Sequence, residues 1–345
     1  MSSPNNSFLS GANSSLISKK SLQNNLWAIV NDLKDSMDLW EVNSYICNVL
    51  LYSFLSEKFI DYVYNNYENI DYKKMEDTSF FVKCLKEKAS NKLGFFILPS
   101  QIIENFIVNS NKRSNVHSEL KKVLESIESS TVGCSSEKAF KGLFSHFDGL
   151  THLQKVGLEE KNERLIKVLR DVYKLRGSSA FDRYYQYRDA FEFFSSAYAS
   201  ILGKGGSSYF TPLKVSELMV SLATQGRANI HKIYDPACGS GSLLLQFNKK
   251  AGGDRTNLHF FGQDLNERSY ILARMNMIVN EVDYLNFNIS LGDTLRKPSF
   301  REENSFDAIV SCPPYSLQWR NDTEHDLLHD ERFAPAGVLA PSSKG

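Results

Sequence analysis

The stretch Ile233-Tyr-Asp-Pro-Ala-Cys-Gly-Ser-Gly-Ser-Leu243 decides the fold. Ile230, Ile233 and Tyr234 predict a buried strand over 229–234, and Leu243-Leu-Leu-Gln-Phe247 predicts the start of a helix. A tight turn with two glycines therefore joins a strand end to a helix N-terminus. Gly239 and Gly241 permit positive φ and close approach of a ligand. The free N–H groups of the helix start attract polar or anionic ligand atoms. In a doubly wound sheet such a turn lies at the carboxyl edge, where ligands bind. No third glycine completes a G-x-G-x-x-G fingerprint, and no Gly-Lys-Ser/Thr follows to make a P-loop.

Downstream, the same arrangement recurs. Leu258-His-Phe-Phe-Gly-Gln-Asp264 predicts a strand ending in an acid, about 25 residues past the glycine turn, where an acid that binds ribose hydroxyls is expected. Asn266 to Asn280 predicts a helix. Phe287-Asn-Ile-Ser-Leu-Gly-Asp293 predicts a third strand, and Phe306-Asp-Ala-Ile-Val-Ser-Cys312 a fourth that runs into Pro313-Pro314-Tyr315. Four strand ends thus carry Asp235, Asp264, Asp293 and Cys-Pro-Pro-Tyr in order. One such acid alone reads as an exposed strand end or helix cap. Three at successive strand ends indicate an α/β domain with a mostly parallel sheet and its functional groups on one edge.

Upstream of the turn the chain predicts helices. They fall over 22–36, 42–67, 78–91, 101–110, 116–129, 159–175, 189–202 and 213–223, the last opening on Tyr209-Phe210-Thr211-Pro212. Trp27 and Trp40 are expected in the core between the first two helices. Gly94-Phe-Phe-Ile-Leu-Pro99 reads as a buried connector, and 133–149, with His146 and Asp148, as a surface turn. Arg176-Gly-Ser-Ser-Ala180 reads as a linker. The run Phe181-Asp-Arg-Tyr-Tyr-Gln-Tyr-Arg188 suits base stacking with phosphate contact, but a helix packing across the domain junction is the favoured reading. The expected domains are a disordered lead-in over 1–20, a helical domain over 21–176 and an α/β domain over 177–345.

Lys and Arg total 40 and so do Asp and Glu, which leaves no basic surplus. A protein that grips DNA unaided is expected to carry one, so either a local basic patch exists or a partner supplies most phosphate contacts. Five widely spaced cysteines, without C-x-x-C pairs, read as reduced thiols in a cytoplasmic protein and not as a disulfide frame or zinc site. Met1 to Lys20 has no apolar segment of signal-peptide or membrane-span type.

Tyr209-Phe-Thr-Pro, Asp235-Pro-Ala-Cys-Gly-Ser-Gly, Gly262-Gln-Asp264, Gly292-Asp293 and Cys312-Pro-Pro-Tyr315 together resemble the ordered motifs of N6-adenine DNA methyltransferases that use S-adenosylmethionine (SAM). The match is closest to HsdM, the modification subunit of type I restriction–modification systems. It is specific from about residue 189 onward. It is looser over 22–175, where Leu26-Trp27, Leu33, Tyr45 and Leu55-Ser-Glu-Lys-Phe59 resemble the family's helical N-terminal domain. The resemblance implies that Tyr209, Phe210, Thr211, Pro212, Asp235, Pro236, Ala237, Gly239, Ser240 and Gly241 hold the methionine part of SAM. Asp264 would accept both ribose hydroxyls and Asp293 the adenine amino group, none of which requires a shifted pKa. It also implies DNA as substrate, specificity and restriction subunits as partners, a second modification subunit, and no metal.

In that family the catalytic motif is Asn-Pro-Pro-Tyr/Phe, acting on a base flipped out of the duplex. Tyr315 would stack on the base and the Pro313 carbonyl, held by Pro314, would accept from its N6 amine. The Asn position is Cys312, and a thiol is a weak acceptor. Losing one preorganised polar contact of this kind costs about a hundred- to a thousand-fold in rate. Cys-Pro-Pro-Tyr does not resemble the Pro-Cys order of cytosine-C5 methyltransferases. RNA or protein-glutamine methyltransferases also use an Asn-Pro-Pro-Tyr-like turn, against which the HsdM-like start argues. The family sheet has further strands beyond the fourth, so a truncated domain with strand 306–312 as an apolar edge is expected. The alternative reading is therefore a catalytically inactive fragment that acts only in assembly.

Overall fold

The computed structural model describes residues 24–31, 33, 39–110, 114–147, 157–175, 180–203, 211–227, 229–250, 257–301, 305–314, 330–332 and 335, the side chains of 39–40, 180–183 and 197–203 excepted. The lead-in over 1–20, Tyr209, Phe210, Tyr315 and Asp148 lie outside the described residues, as does most of the predicted linker. The chain forms two compact units. One comprises Met1–Tyr198 with Ile278–Leu285, the other Ala199–Met277 with Asn286–Gly345.

The first unit is helical. It contains α1 (residues 24–31), α2 (Leu39–Asn66), α3 (Phe80–Leu93), α4 (Ile103–Val108), α5 (Val116–Ser129), α6 (Glu137–Phe140), α7 (Leu158–Lys174) and most of α8 (Ala180–Gly203). α2 is its axis: Tyr45, Ile46, Val49, Leu50, Phe54, Leu55 and Phe59 are all buried on it. Such all-round burial is what a helix apolar on every side requires. α5 shows the local logic of the surrounding helices. The Asn115 side chain caps it by accepting from Ser118 N at 3.0 Å, and Val116, Leu120, Val123, Leu124 and Ile127 line its inner face.

Several sequence expectations change here. Trp27 is 49% exposed and meets Phe193 edge-on at 5.5 Å, so it lies at the rim of the helical core and not within it; Trp40's side chain is outside the description. Over 133–147, the described part of the 133–149 segment, the chain is no simple surface turn, because Phe140, Leu143, Phe144 and Phe147 are buried while Lys141 and Ser145 between them face water. The connector Phe95-Phe96-Ile97 is buried as expected.

α8 runs through the 181–188 aromatics without a break. Tyr184 donates to Asp61 at 2.6 Å, Tyr187 shares a 2.6 Å hydrogen bond with Ser53, and both rings meet Phe54 edge-on. Helix packing is therefore what Tyr184 and Tyr187 do, within the helical unit, against α2. Their attachment is why the unit extends to Tyr198, past the break read at 176–180. The segment 278–285 joins the same unit, with the Glu281 carboxylate accepting from Lys58 and Arg188.

The second unit is a parallel sheet with helices. Its elements are α9 (Leu213–Thr224), β1 (Lys232–Asp235), α10 (Ser242–Lys250), β2 (His259–Asp264), α11 (Glu267–Val279, the first part), β3 (Phe287–Leu291) and β4 (Ala308–Ile309). The strand order is β3-β2-β1-β4, every pair parallel. Register sets Asp235 opposite Gly262 and Asp264 opposite Leu291. The chain steps outward from β1 through β2 to β3, then returns to the other side of β1 for β4. β1 is thus the topological switch point, and the crevice past its carboxyl end is where such sheets bind ligands. One face of the sheet is aromatic: Tyr234 stacks on Phe306 at 4.8 Å, and Phe261 and Phe300 complete the cluster. β4 is an edge of this sheet and presents Ile309 at 63% exposure. Among the described residues no helix is long and apolar enough to cross a membrane.

Candidate functional site

The glycine turn is locked between β1, β2 and α11. The Asp235 carboxylate accepts from Ala237 N at 3.0 Å, which folds the chain back immediately after the strand. Gly239 and Gly241 have φ of 53° and 73°, the left-handed region that a side chain disfavours. Cys238 N donates to the Gln263 carbonyl at 3.0 Å, and Gly239 N to Asp264 Oδ2 at 2.8 Å. Asn276 on α11 donates to the Ser240 carbonyl, and the Thr294 hydroxyl to the Pro236 carbonyl at 2.7 Å. The turn is therefore preset before any ligand arrives. Among the described residues, apart from its chain neighbours, no atom lies within 4 Å of where a Gly239 side chain would begin.

Asp264 is held at both ends, with Oδ1 accepting from Asn266 N at 2.9 Å and Oδ2 from Gly239 N. Each oxygen retains a second lone pair for a ligand hydroxyl. Asp293 follows Gly292, whose N–H donates to the Asp264 carbonyl at 2.9 Å. Its Oδ1 accepts from Leu295 N at 2.9 Å and Arg296 N at 3.3 Å, a cap that fixes the carboxylate's direction. Past β4, Val310 N donates to the Tyr234 carbonyl at 2.9 Å, which carries Ser311 and Cys312 to the level of Asp235. Asp235, the turn, Asp264, Asp293 and Cys312 thus share one rim of the sheet. Pro313 is exposed, Cys312 and Pro314 half-buried. Thr211 and Pro212 precede α9, where the Pro212 carbonyl accepts from Val215 N and Ser216 N. The residue before α9 proper is the proline, one position earlier than a first-turn placement.

The electrostatics of the rim are set by burial. Burial pushes the Asp235 carboxyl up to about 7, the Ala237 N–H and the nearby Ser311 hydroxyl opposing and the charge on Asp264 reinforcing the shift. Ser311 Oγ lies close enough to favour the charge but outside direct hydrogen-bond geometry. Burial also raises Asp264, against the N–H groups of Asn266 and Gly239. Among the described residues neither acid is ion-paired. Two buried carboxyls beside a glycine turn and a helix N-terminus offer acceptor oxygens to a ligand that carries hydroxyl or amino donors. No cluster of His, Cys, Asp and Glu among the described residues has metal-binding geometry.

Three residues on which the sequence reading placed no role support this rim: Gln263, Asn276 and Thr294. Only Gln263 left a signal, since it sits between Gly262 and Asp264 in a quoted motif.

Two family models match in tandem, the HsdM N-terminal domain over 22–172 and N-6 DNA Methylase over 185–345. The type I restriction enzyme MpnII methylase subunit of Mycoplasma pneumoniae is 35% identical over 350 residues, covering 94% of this chain and 63% of that protein. The HindI methylase subunit of Haemophilus influenzae is 30% identical over 148 residues, 42% of this chain and 32% of the relative. Among solved structures, the methyltransferase subunit of a type I restriction–modification system from Streptococcus thermophilus matches with a TM-score of 0.81 at 27% identity, over 94% of this chain and 69% of that one. A modification subunit from Vibrio vulnificus matches at TM-score 0.53 and 13% identity, a likeness of fold alone. The chain spans less than two thirds of the Mycoplasma relative's length.

Proposed function

We propose that this chain is the modification subunit of a type I restriction–modification system, binding SAM and transferring its methyl group to adenine N6 in DNA. The observation that carries this reading is the bonded rim: Gly239 N–H on Asp264, Gly292 N–H on the Asp264 carbonyl, and Cys312 brought level with Asp235. Bound SAM supplies an electrophilic methyl group on sulfur. The chain's own part is to hold and orient. Tyr209 to Pro212 and the turn 235–241 take the methionine end, Asp264 the ribose hydroxyls, and Asp293 the adenine amine. Pro313 offers its carbonyl to the target N6 amine, Pro314 shapes that turn, and Tyr315 stacks on the flipped base. The neutral overall charge fits a subunit that contacts DNA together with a specificity subunit. Specificity and restriction subunits, a second copy of this subunit and a cytoplasmic location complete the proposal, as does a domain layout of helical part and catalytic part.

Cys312 supports a second reading, in which the chain assembles but does not methylate. Transfer of labelled methyl from SAM to unmodified DNA, with the cognate specificity subunit present, separates the two. The enzyme reading predicts incorporation, raised about a hundred-fold or more by Cys312→Asn, which restores a strong acceptor. Absence of incorporation by the native chain contradicts it, and recovery of transfer in Cys312→Asn then establishes the inactive-fragment reading.

A further inference from the structure

Gln263 is fully buried on β2, on the face opposite Asp264 because neighbouring strand residues alternate. Its side-chain amide is satisfied at both ends by one loop. Nε2 donates to the Lys297 carbonyl at 2.9 Å, and Oε1 accepts from Ser299 N at 2.9 Å. Its backbone carbonyl meanwhile accepts from Cys238 N. The loop it grips is the one that carries Asp293, whose own carbonyl accepts from Lys297 N at 2.7 Å and whose Oδ1 caps the same turn. A side chain at Gly292 would begin 3.3 Å from Gln263 Nε2, so strand and loop are in close contact where Asp293 begins. Lys297 is thus held from two directions, by Asp293 and by Gln263.

We propose that Gln263 is a positioning residue for the adenine end of the cofactor site, its amide fixing the 293–299 turn so that Asp293 meets the amino group of a bound adenosine. This rests on the SAM reading above and adds to it the device that sets the purine contact. A glutamine suits the task because its amide both donates and accepts, which a carboxylate or an aliphatic side chain of similar size does not. A buried amide deprived of these partners is costly, so the loop has one favoured placement.

The test compares two ligands that differ only at the purine 6-position, S-adenosylhomocysteine with its amino group and S-inosylhomocysteine with an oxo group. Calorimetry on the native chain is expected to show the adenosyl ligand binding at least about tenfold more tightly, the worth of one hydrogen bond to a carboxylate. In Gln263→Met that preference falls toward unity through loss of adenosyl affinity, with inosyl affinity unchanged. Ser299→Pro removes the N–H that Gln263 Oε1 accepts, while leaving Gln263 itself in place, and is expected to lower the preference as well, whereas Ser299→Ala, which gives up only the hydroxyl contact with Ser290 and keeps the N–H, retains it. If Gln263→Met does not fold, the Ser299 pair decides. A native preference that persists in Gln263→Met and Ser299→Pro, or an equal weakening of both ligands, overturns the positioning role and leaves the cofactor reading intact. Failure of the native chain to bind either ligand overturns that reading and this inference together.

Discussion

Asp235 is the residue on which the electrostatics of the rim turn. Its buried carboxyl titrates near 7, against 3.8 for a free aspartate. The native state therefore retains a proton that the unfolded chain has lost between about pH 4 and 7. Where the native state binds more protons, stability falls as pH rises. The expected outcome is that the sheet unit loses stability from pH 4 to 7 and levels off above it, and that Asp235→Asn flattens this slope. Urea unfolding across that range, followed by the signal of Tyr234 and its aromatic neighbours, checks it. A slope identical in the native protein and the variant refutes the buried-proton account.

At the scale of elements, the site depends on how closely β2 approaches the glycine turn. Gly262 allows it: a side chain there would begin 2.8 Å from Ile289 Cδ1 and 2.9 Å from Cys238 Sγ. Gly262→Ala is expected to cost about 1–3 kcal/mol by overpacking, read as a lower urea midpoint with an unchanged slope. Much of this was legible in the sequence, because alternation and strand-end acids are local signals. β2, β3 and α11 fall within a few residues of their predicted bounds. What was not legible depended on partners distant along the chain. Trp27 is apolar enough for the core but meets Phe193 at the rim, and the Arg176–Ala180 break hid the fact that α8 packs on α2. β4 forms only two residues of the predicted seven, since pairing with β1 extends no further. The shift on Asp235 was missed because burial is not written in a motif. The support by Gln263 was missed because its partners, Lys297 and Ser299, belong to a loop over 30 residues away.

For the molecule as a whole, two units differ in construction: helices around α2, and a four-stranded parallel sheet with Asp235 and the glycine turn at its switch point. The central claim is that three strand ends, at Asp235, Asp264 and Asp293, form one receptor for SAM. Titration calorimetry of SAM into the native chain and into Asp264→Asn tests it most directly, since Asp264 ties the glycine turn to β2. The account predicts one site per chain, with affinity reduced about tenfold or more in the variant through the loss of a charged acceptor for the ribose hydroxyls. No binding by the native chain, or equal affinity in the native chain and Asp264→Asn, would contradict it.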